Sequence, residues 1–530
     1  MSYEWFVKLL WLASAFFDYT EFTYLWQKGD YGVRKIRHFL ASREGRSFWM
    51  QYHVLWRAFF SLALFISPLN TPIIVWYLLT IIFISDIIYS LYKILNHNFN
   101  WPNFTPKSAT VILFSIILES IALLSIMMWQ FVFLFIALRF FIIGLSVTIL
   151  KLPTRWIKKV IIYRAAKKIR NCKKLIIIGI VGSYGKSTTK EFLSHILKNK
   201  YSVDAVPSKI RTDIAVARYI LMNDFSNTQV LIVEMSGARP GYLSSLSKML
   251  KPNIVILTGI NSQHISYFGS EQKIVTDKYA AFADMQSDGL AIINADKYFC
   301  PECIKQIPCP VYLYGLDEEH RPNFLINDTK RSIDQISFQA VVEGKLLVFT
   351  APISGEHNAL NIAACYATAR HLGIPEVDIV ESVKSLHLPK GVHDKYISGD
   401  TIIIDDSENS NSEGFKSALF VLGAYPSDYR KVVITHGMTE LGETAARAHH
   451  NIGEEISLIA DQLIVISRDY FETMRQGVGN RSSTTVSLIE DEADLLSFLK
   501  SITGSKTVIL IENSVPRKIK EFYRNSFNRI

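Results

Sequence analysis

The apolar positions of the chain change rhythm near residue 150. Before it they form long runs, Val54 to Ser67, Ile73 to Leu95, Ala109 to Trp129 and Phe131 to Leu150. Three of these approach the ~20 residues that a helix needs to cross a bilayer, and the first is a little short. The pattern predicts a region 1–150 with four transmembrane helices in two hairpins; buried core helices are the alternative. The outer turns Pro68-Leu-Asn-Thr-Pro72 and Trp129-Gln130 carry no charge, whereas Lys28 to Arg46, Lys93 to Lys107 and the chain after Lys151 carry Lys and Arg. This asymmetry places both ends of the region in the cytoplasm, in a plasma-membrane protein. Met1 to Phe17 lacks the basic start and small-residue site of a signal peptide. Broken by Lys8, Asp18 and Glu21, the first stretch predicts an interfacial helix.

Arg57, Asp86, Glu119 and Arg139 fall inside the predicted spans. Arg57 and Asp86 lie at similar depth in one hairpin, Glu119 and Arg139 in the other. Because a lone charge in lipid costs several kcal/mol, an ion pair in each hairpin is expected, with a substrate path as the sharper alternative. Residues 151–174 hold ten Lys or Arg and no acidic residue, which accounts for the +9 balance. A basic juxtamembrane helix facing anionic membrane lipids, or the phosphates of a lipid-linked substrate, explains this better than nucleic acid, for which no motif is present.

Beyond residue 175 the pattern alternates strand-like runs with helical ones: Gln229 to Met235, Gly241 to Leu250, Ile254 to Thr258, Glu271 to Met285, Leu290 to Asn294. That is the signature of a parallel sheet covered by helices, an α/β fold. A second α/β region opens after Pro389, with strands predicted at Thr401 to Ile404, Lys431 to Thr435, Gln462 to Ile466 and Thr507 to Ile511. The boundaries fall at 175–388 and 389–530.

The segment Gly179-Ile-Val-Gly-Ser-Tyr-Gly-Lys-Ser-Thr-Thr189 closes one apolar run and opens a helical pattern. Strand, glycine turn and helix in that order make a nucleoside triphosphate site. Gly182 and Gly185 let backbone N–H groups near phosphate, Ser183 and Tyr184 complete the loop, Lys186 supplies charge, and Ser187 or Thr188 offers a hydroxyl to Mg2+. ATP is the expected nucleotide, although Ile180 stands where the general motif has glycine. Glu234 and His264 each follow a strand at the carboxyl edge beside this loop, where a carboxylate and an imidazole complete a metal site. Five cysteines imply no disulfide framework. Cys300, Cys303, Cys309 and His320 are the only zinc candidates, without a second close pair.

Taken together, the phosphate loop, Val-Glu234-Met-Ser-Gly-Ala-Arg-Pro-Gly241, Thr258-Gly-Ile-Asn-Ser-Gln-His264, Lys278 and Gly355-Glu-His-Asn-Ala-Leu-Asn361 resemble the Mur ligases. Asp405-Asp406-Ser-Glu-Asn-Ser-Asn411, Glu440-Leu-Gly-Glu443, His449 and Gly453 resemble the MurF branch in particular. The resemblance implies a P-loop ATPase domain at 175–388 and a Rossmann-like domain at 389–530. It also implies ATP-driven joining of a carboxylate to an amine through an acyl phosphate. On it, Lys186, Glu234, His264 and Lys278 are catalytic. Ser187, Glu234, His264 and Lys278, the last as a carbamate, hold metal; Asn358 and Asn361 line the adenine pocket, and Asp406 closes over the nucleotide.

Departures accompany the likeness. Arg211 precedes Thr212 where relatives have Asn, Val392 and then His393 follow Gly391 where they have Arg, and Glu408 replaces a Tyr. Arg211 and His393 are the candidates to compensate. Membrane helices stand where relatives carry a domain for the uridine diphosphate sugar. The implied partners are therefore an envelope precursor bearing a carboxylate, free or lipid-linked, and an amino acid or dipeptide amine. The rival readings are a capsule-type polyglutamate ligase and a weakened ATP-binding scaffold.

Overall fold

The computed structural model describes residues 3–29, 31–33, 36–37, 72–96, 98–125, 136, 138–237, 240–261, 268–296, 298–407, 412–439, 441, 444–479 and 482–529. The chain forms two units, Met1–Lys159 and Val160–Ile530.

In the first unit the described helices are α1 (Tyr3–Lys28), α2 (Pro72–Leu95), α3 (Pro106–Ser125) and the start of α4 (Arg139–Asn171). Three stretches, Trp76–Leu95, Pro106–Leu123 and helix α4, are long and apolar enough to cross a membrane. The predicted span Val54 to Ser67, with Arg57, lies outside the described residues, so the expected Arg57–Asp86 pair does too. The Glu119–Arg139 pair forms, with Arg139 Nε 3.1 Å from Glu119 Oε1. Arg139 also reaches Asp18 Oδ2 and Ser14 Oγ, each at 2.8 Å. Trp11 and Tyr19 donate to Glu119 at 3.0 and 2.7 Å, and Ser14 donates to Asp86 at 3.0 Å. Through these contacts α1 packs against the predicted spans: Asp18 and Glu21, which break its apolar run, meet Arg139 and Lys93.

Helix α4 extends from Arg139 to Asn171, so the basic helix expected at 151–174 ends three residues early, before Cys172. Its far end, Ala165, Ala166 and Ile169, is buried in the core of the second unit.

That unit holds two sheets. The first comprises β1 (Ile176–Val181), β2 (Val203–Ala205), β3 (Val230–Glu234), β4 (Ile254–Leu257), β5 (Leu290–Asn294), β6 (Val311–Gly315), β7 (Phe324–Arg331), β8 (Ile336–Val342) and β9 (Lys345–Ala351). Its order is β2-β3-β1-β4-β5-β6-β7-β8-β9, parallel as far as β7 and antiparallel through the last two pairs. Central strands such as Ile-Ile-Ile-Gly-Ile-Val are buried on both faces, as a parallel sheet with two helical layers requires. Ile178 and Ile180 enter one core, Ile177 and Val181 the other. Strand β8, in the antiparallel end of the sheet between β7 and β9, alternates buried and half-buried residues. Helices α5 (Lys186–Leu197) and α6 (Asp213–Met222) follow β1 and β2, α7 (Tyr242–Leu250) follows β3, and α8 (Glu271–Tyr279) follows β4. Helix α9 (Asn358–His371) leads out of the sheet.

The second sheet comprises β10 (Asp394–Asp406), β11 (Arg430–Thr435), β12 (Gln462–Val465), β13 (Thr485–Leu488), β14 (Gly504–Glu512) and β15 (Asn528–Arg529), in the order β13-β12-β11-β14-β10-β15. All neighbours are parallel except β15. Strand β13 escaped the sequence pattern because its four residues, Thr-Val-Ser-Leu, are short and half-polar. Helix α10 (Ser412–Gly423) follows β10.

The cysteines need a correction. Cys300 and Cys303 form a disulfide across one turn, since residues three apart on a short helix lie side by side. Cys309 is buried as a free thiol, and His320 stacks on Phe299. Among the described residues no three His, Cys, Asp or Glu gather as a metal site.

Candidate active site

The phosphate loop turns between β1 and α5 on glycines with no alternative. Gly185 has φ +76°, and a Cβ there would come 2.6 Å from Asn361 Oδ1. A Cβ on Gly182 would come 2.1 Å from Thr258 Oγ1. Neighbouring segments pin the loop: Ser183 N donates to Gly259 O at 2.6 Å, Thr258 Oγ1 to Tyr184 O, and Asn261 N to Ser183 Oγ at 3.2 Å. No side chain caps α5. Its first N–H groups are therefore open to an anion, with the helix dipole behind them.

Lys186 Nζ folds back onto the carbonyls of Gly182 and Ser183, at 2.8 and 3.1 Å. Burial pulls its amine down to about 7, with Lys278 and Arg211 adding repulsion and Glu234 opposing them. Lys278, 3% exposed on α8, is brought down by burial to about 8, with Asp277 opposing. Thus two buried lysines lie near enough to repel each other. Arg211, whose Nε donates to Ser208 O at 2.6 Å, adds a third cation nearby.

Glu234, the last residue of β3, is 1% exposed. Its Oε2 accepts from Ser187 Oγ at 3.0 Å, and its Oε1 accepts from Ser208 Oγ at 2.5 Å and from Lys190 Nζ at 3.0 Å. Burial pushes this carboxyl up, but Ser208 and the two lysines outweigh it and hold it low. A hydroxyl and an ionised carboxylate oxygen side by side at the head of α5 fit a hard divalent cation. Ser187 and Glu234 would hold it, and it would neutralise charge between phosphates. Thr188 is buried. His264 lies outside the described residues.

Beside the loop, a cavity of about 510 Å3 is lined by Tyr184, Asp296, Glu356, Leu360, Glu413 and Phe420 among others. Burial, Glu413 and Asp296 push the Tyr184 phenol up to about 12. Asn358 and Asn361 do not line this cavity. Asn358 Nδ2 donates to Ser354 O and its Oδ1 accepts from Asn361 Nδ2 at 2.9 Å, while Asn361 Oδ1 accepts from the Thr189 hydroxyl at 3.1 Å, behind the loop. Asp296 and Glu413 went unnoticed in the sequence, where nothing local marks them, and Glu356 was given no role although it stands inside the Gly355–Asn361 motif.

Asp406 ends β10, wholly buried. His393 links it to the first sheet, with Nε2 3.8 Å from Asp406 Oδ2 and Nδ1 3.0 Å from Ser354 Oγ. Burial and Lys395 bring this imidazole down to about 4. It is uncharged at neutral pH and does not replace the charge of the relatives' Arg. Glu512, paired in register with Asp406, is pushed well above the carboxylate range by burial and by Asp406. Glu408 lies outside the described residues.

Residues 180–369 match the Mur ligase middle domain. The UDP-N-acetylmuramoyl-tripeptide–D-alanyl-D-alanine ligase of Bacillus subtilis is 24% identical over 352 residues, 66% of this chain and 75% of that protein. Its namesake from Synechocystis is 28% identical over 300 residues, 55% of this chain and 62% of that protein, so the match spans under two thirds of this relative. Among solved structures, MurF from Acinetobacter baumannii superposes with a TM-score of 0.62 at 20% identity, covering 70% of this chain and 80% of that one. MurF from Thermotoga maritima in complex with ADP gives 0.60 at 23%, covering 70% and 84%. A doubly covered parallel sheet, its phosphate loop and the Ser187–Glu234 pair define a nucleotide-dependent enzyme class, and residues 180–369 form a Mur ligase middle domain. The proteins that the chain resembles over a longer stretch are MurF ligases.

Proposed function

We propose that this protein is an ATP-dependent ligase that joins a carboxylate on a cell-envelope precursor to the amine of an amino acid or dipeptide, at the cytoplasmic face of the plasma membrane. The observation that carries the reading is the Ser187–Glu234 pair at 3.0 Å, set behind Lys186 in a Mur-type middle domain. The γ-phosphoryl group passes to a carboxylate oxygen and ADP leaves. The amine then attacks the acyl phosphate, expelling phosphate and losing a proton. ATP, the carboxylate and the acyl phosphate are all anionic, so the cations of Lys186 and Arg211 and a bound Mg2+ have the right sign to lower the barrier.

Lys278 supports the same reading. An amine brought down to about 8 is partly neutral at physiological pH and adds to CO2, losing one proton and becoming a carbamate. A buried cation becomes an anion able to bind metal, and His264 would join it. Three apolar helices and the basic length of α4 support a lipid-linked precursor held at the membrane surface.

The test is full-length protein in proteoliposomes, given ATP, Mg2+, envelope extract and candidate amines, with products read by mass spectrometry. Amine-dependent phosphate release, with a product heavier by the amine less one water, is expected. Absence of both Mg2+-dependent nucleotide binding and stimulated hydrolysis would overturn the reading.

A further inference from the structure

Lys190 is a buried lysine that the phosphate-loop motif does not account for. It is 2% exposed on α5, one helical turn beyond Ser187 and therefore on the same face. Its Nζ lies 3.0 Å from Glu234 Oε1, 3.2 Å from Val206 O and 3.7 Å from Glu191 Oε1, and it also meets Ser208 Oγ. The two residues divide the carboxylate between them: Ser187 takes Oε2, and Lys190 with Ser208 takes Oε1. Oε1 is thereby saturated and the carboxylate cannot rotate without breaking both contacts. Only Oε2 remains, beside the Ser187 hydroxyl.

We propose that Lys190 is a positioning residue for the divalent cation of the nucleotide site, locking Glu234 so that Oε2 and the Ser187 hydroxyl face the metal together. The proposal rests on the nucleotide reading of the site. Its sign is diagnostic where the shift is the same across the alkaline range, so that Glu234 is ionised with or without Lys190: there a lysine acting only by charge would repel the cation, and its removal would tighten metal binding. A lysine that orients the ligand does the reverse, since losing an outer-shell partner weakens metal affinity about 10- to 100-fold.

The experiment titrates Mg2+ against binding of a fluorescent ATP analogue to the full-length protein, without turnover. In Lys190→Met the Mg2+ concentration at half-saturation is expected to rise by about tenfold or more, with Mg2+-free binding little changed. Ser208→Ala, which removes the other tie to Oε1, is expected to shift it the same way by less and serves if Lys190→Met does not fold. An unchanged or lowered midpoint in the folded variants overturns the proposal. Failure of the unaltered protein to bind the analogue at any Mg2+ concentration overturns the nucleotide reading instead.

Discussion

Gly259 lies against the ring of Tyr184, so closely that a Cβ on Gly259 would come 2.3 Å from the ring carbon Cζ. The same glycine accepts from Ser183 N, so one residue sets the height of the loop over β4. Gly259→Ala is expected to displace Tyr184 and Ser183 together, at an overpacking cost of about 1–3 kcal/mol. Nucleotide affinity should fall roughly tenfold or more while the circular dichroism spectrum is kept. Unaltered affinity would show that the loop tolerates the shift.

Lys186 gives a pH dependence. With its amine at about 7 before nucleotide binds, the charge is present below that pH and lost above it. Nucleotide affinity should weaken from pH 6 to pH 9, by about tenfold for one charge-assisted contact. Lys186→Arg, charged throughout, should flatten the profile, and Lys186→Ala should abolish turnover.

Glu512 predicts the stability profile of the last sheet. Its folded pKa is raised, so its contribution is full below the ordinary glutamate value and declines as pH rises, when the unfolded chain ionises and the fold does not. The slope for one such group is up to about 1.4 kcal/mol per pH unit. Glu512→Gln should melt higher than the unaltered protein above pH 6, with a gap that widens toward pH 9. Parallel melting curves would show that Glu512 is ionised in the fold.

Arg139→Leu leaves Glu119 and Asp18 buried without their cation. A loss of about 3–5 kcal/mol is expected, seen as a lower melting temperature and poor yield in detergent. Glu119→Gln keeps one acceptor oxygen for Trp11, can donate its NH2 to the Tyr19 hydroxyl in place of accepting from it, and should keep turnover. If it folds normally but is inactive, the cluster serves more than structure.

Much of this architecture could be read from the chain, for identifiable reasons. The phosphate loop announced itself because glycines, lysine and hydroxyls sit within eleven residues. The Glu119–Arg139 pair was legible because helix length fixes depth, and both stand at matching depth. The pairing of Asp18 with Arg139 was not legible, because the two stand 121 residues apart and no local spacing joins them. The cavity beside Tyr184 draws Asp296, Glu356 and Glu413 from three separate segments, and no spacing rule joins them. Asn358 and Asn361 lie next to that cavity in sequence but turn toward the loop, which periodicity along α9 alone does not reveal.

The partners of Arg139 carry an implication for biogenesis. Both carboxylates are made before it, 121 and 20 residues upstream. During synthesis, therefore, the counter-ions are already available when the guanidinium emerges. A protein beginning after α1 would leave the translocon to insert that charge with Glu119 alone, and such a truncation should be cleared by membrane quality control.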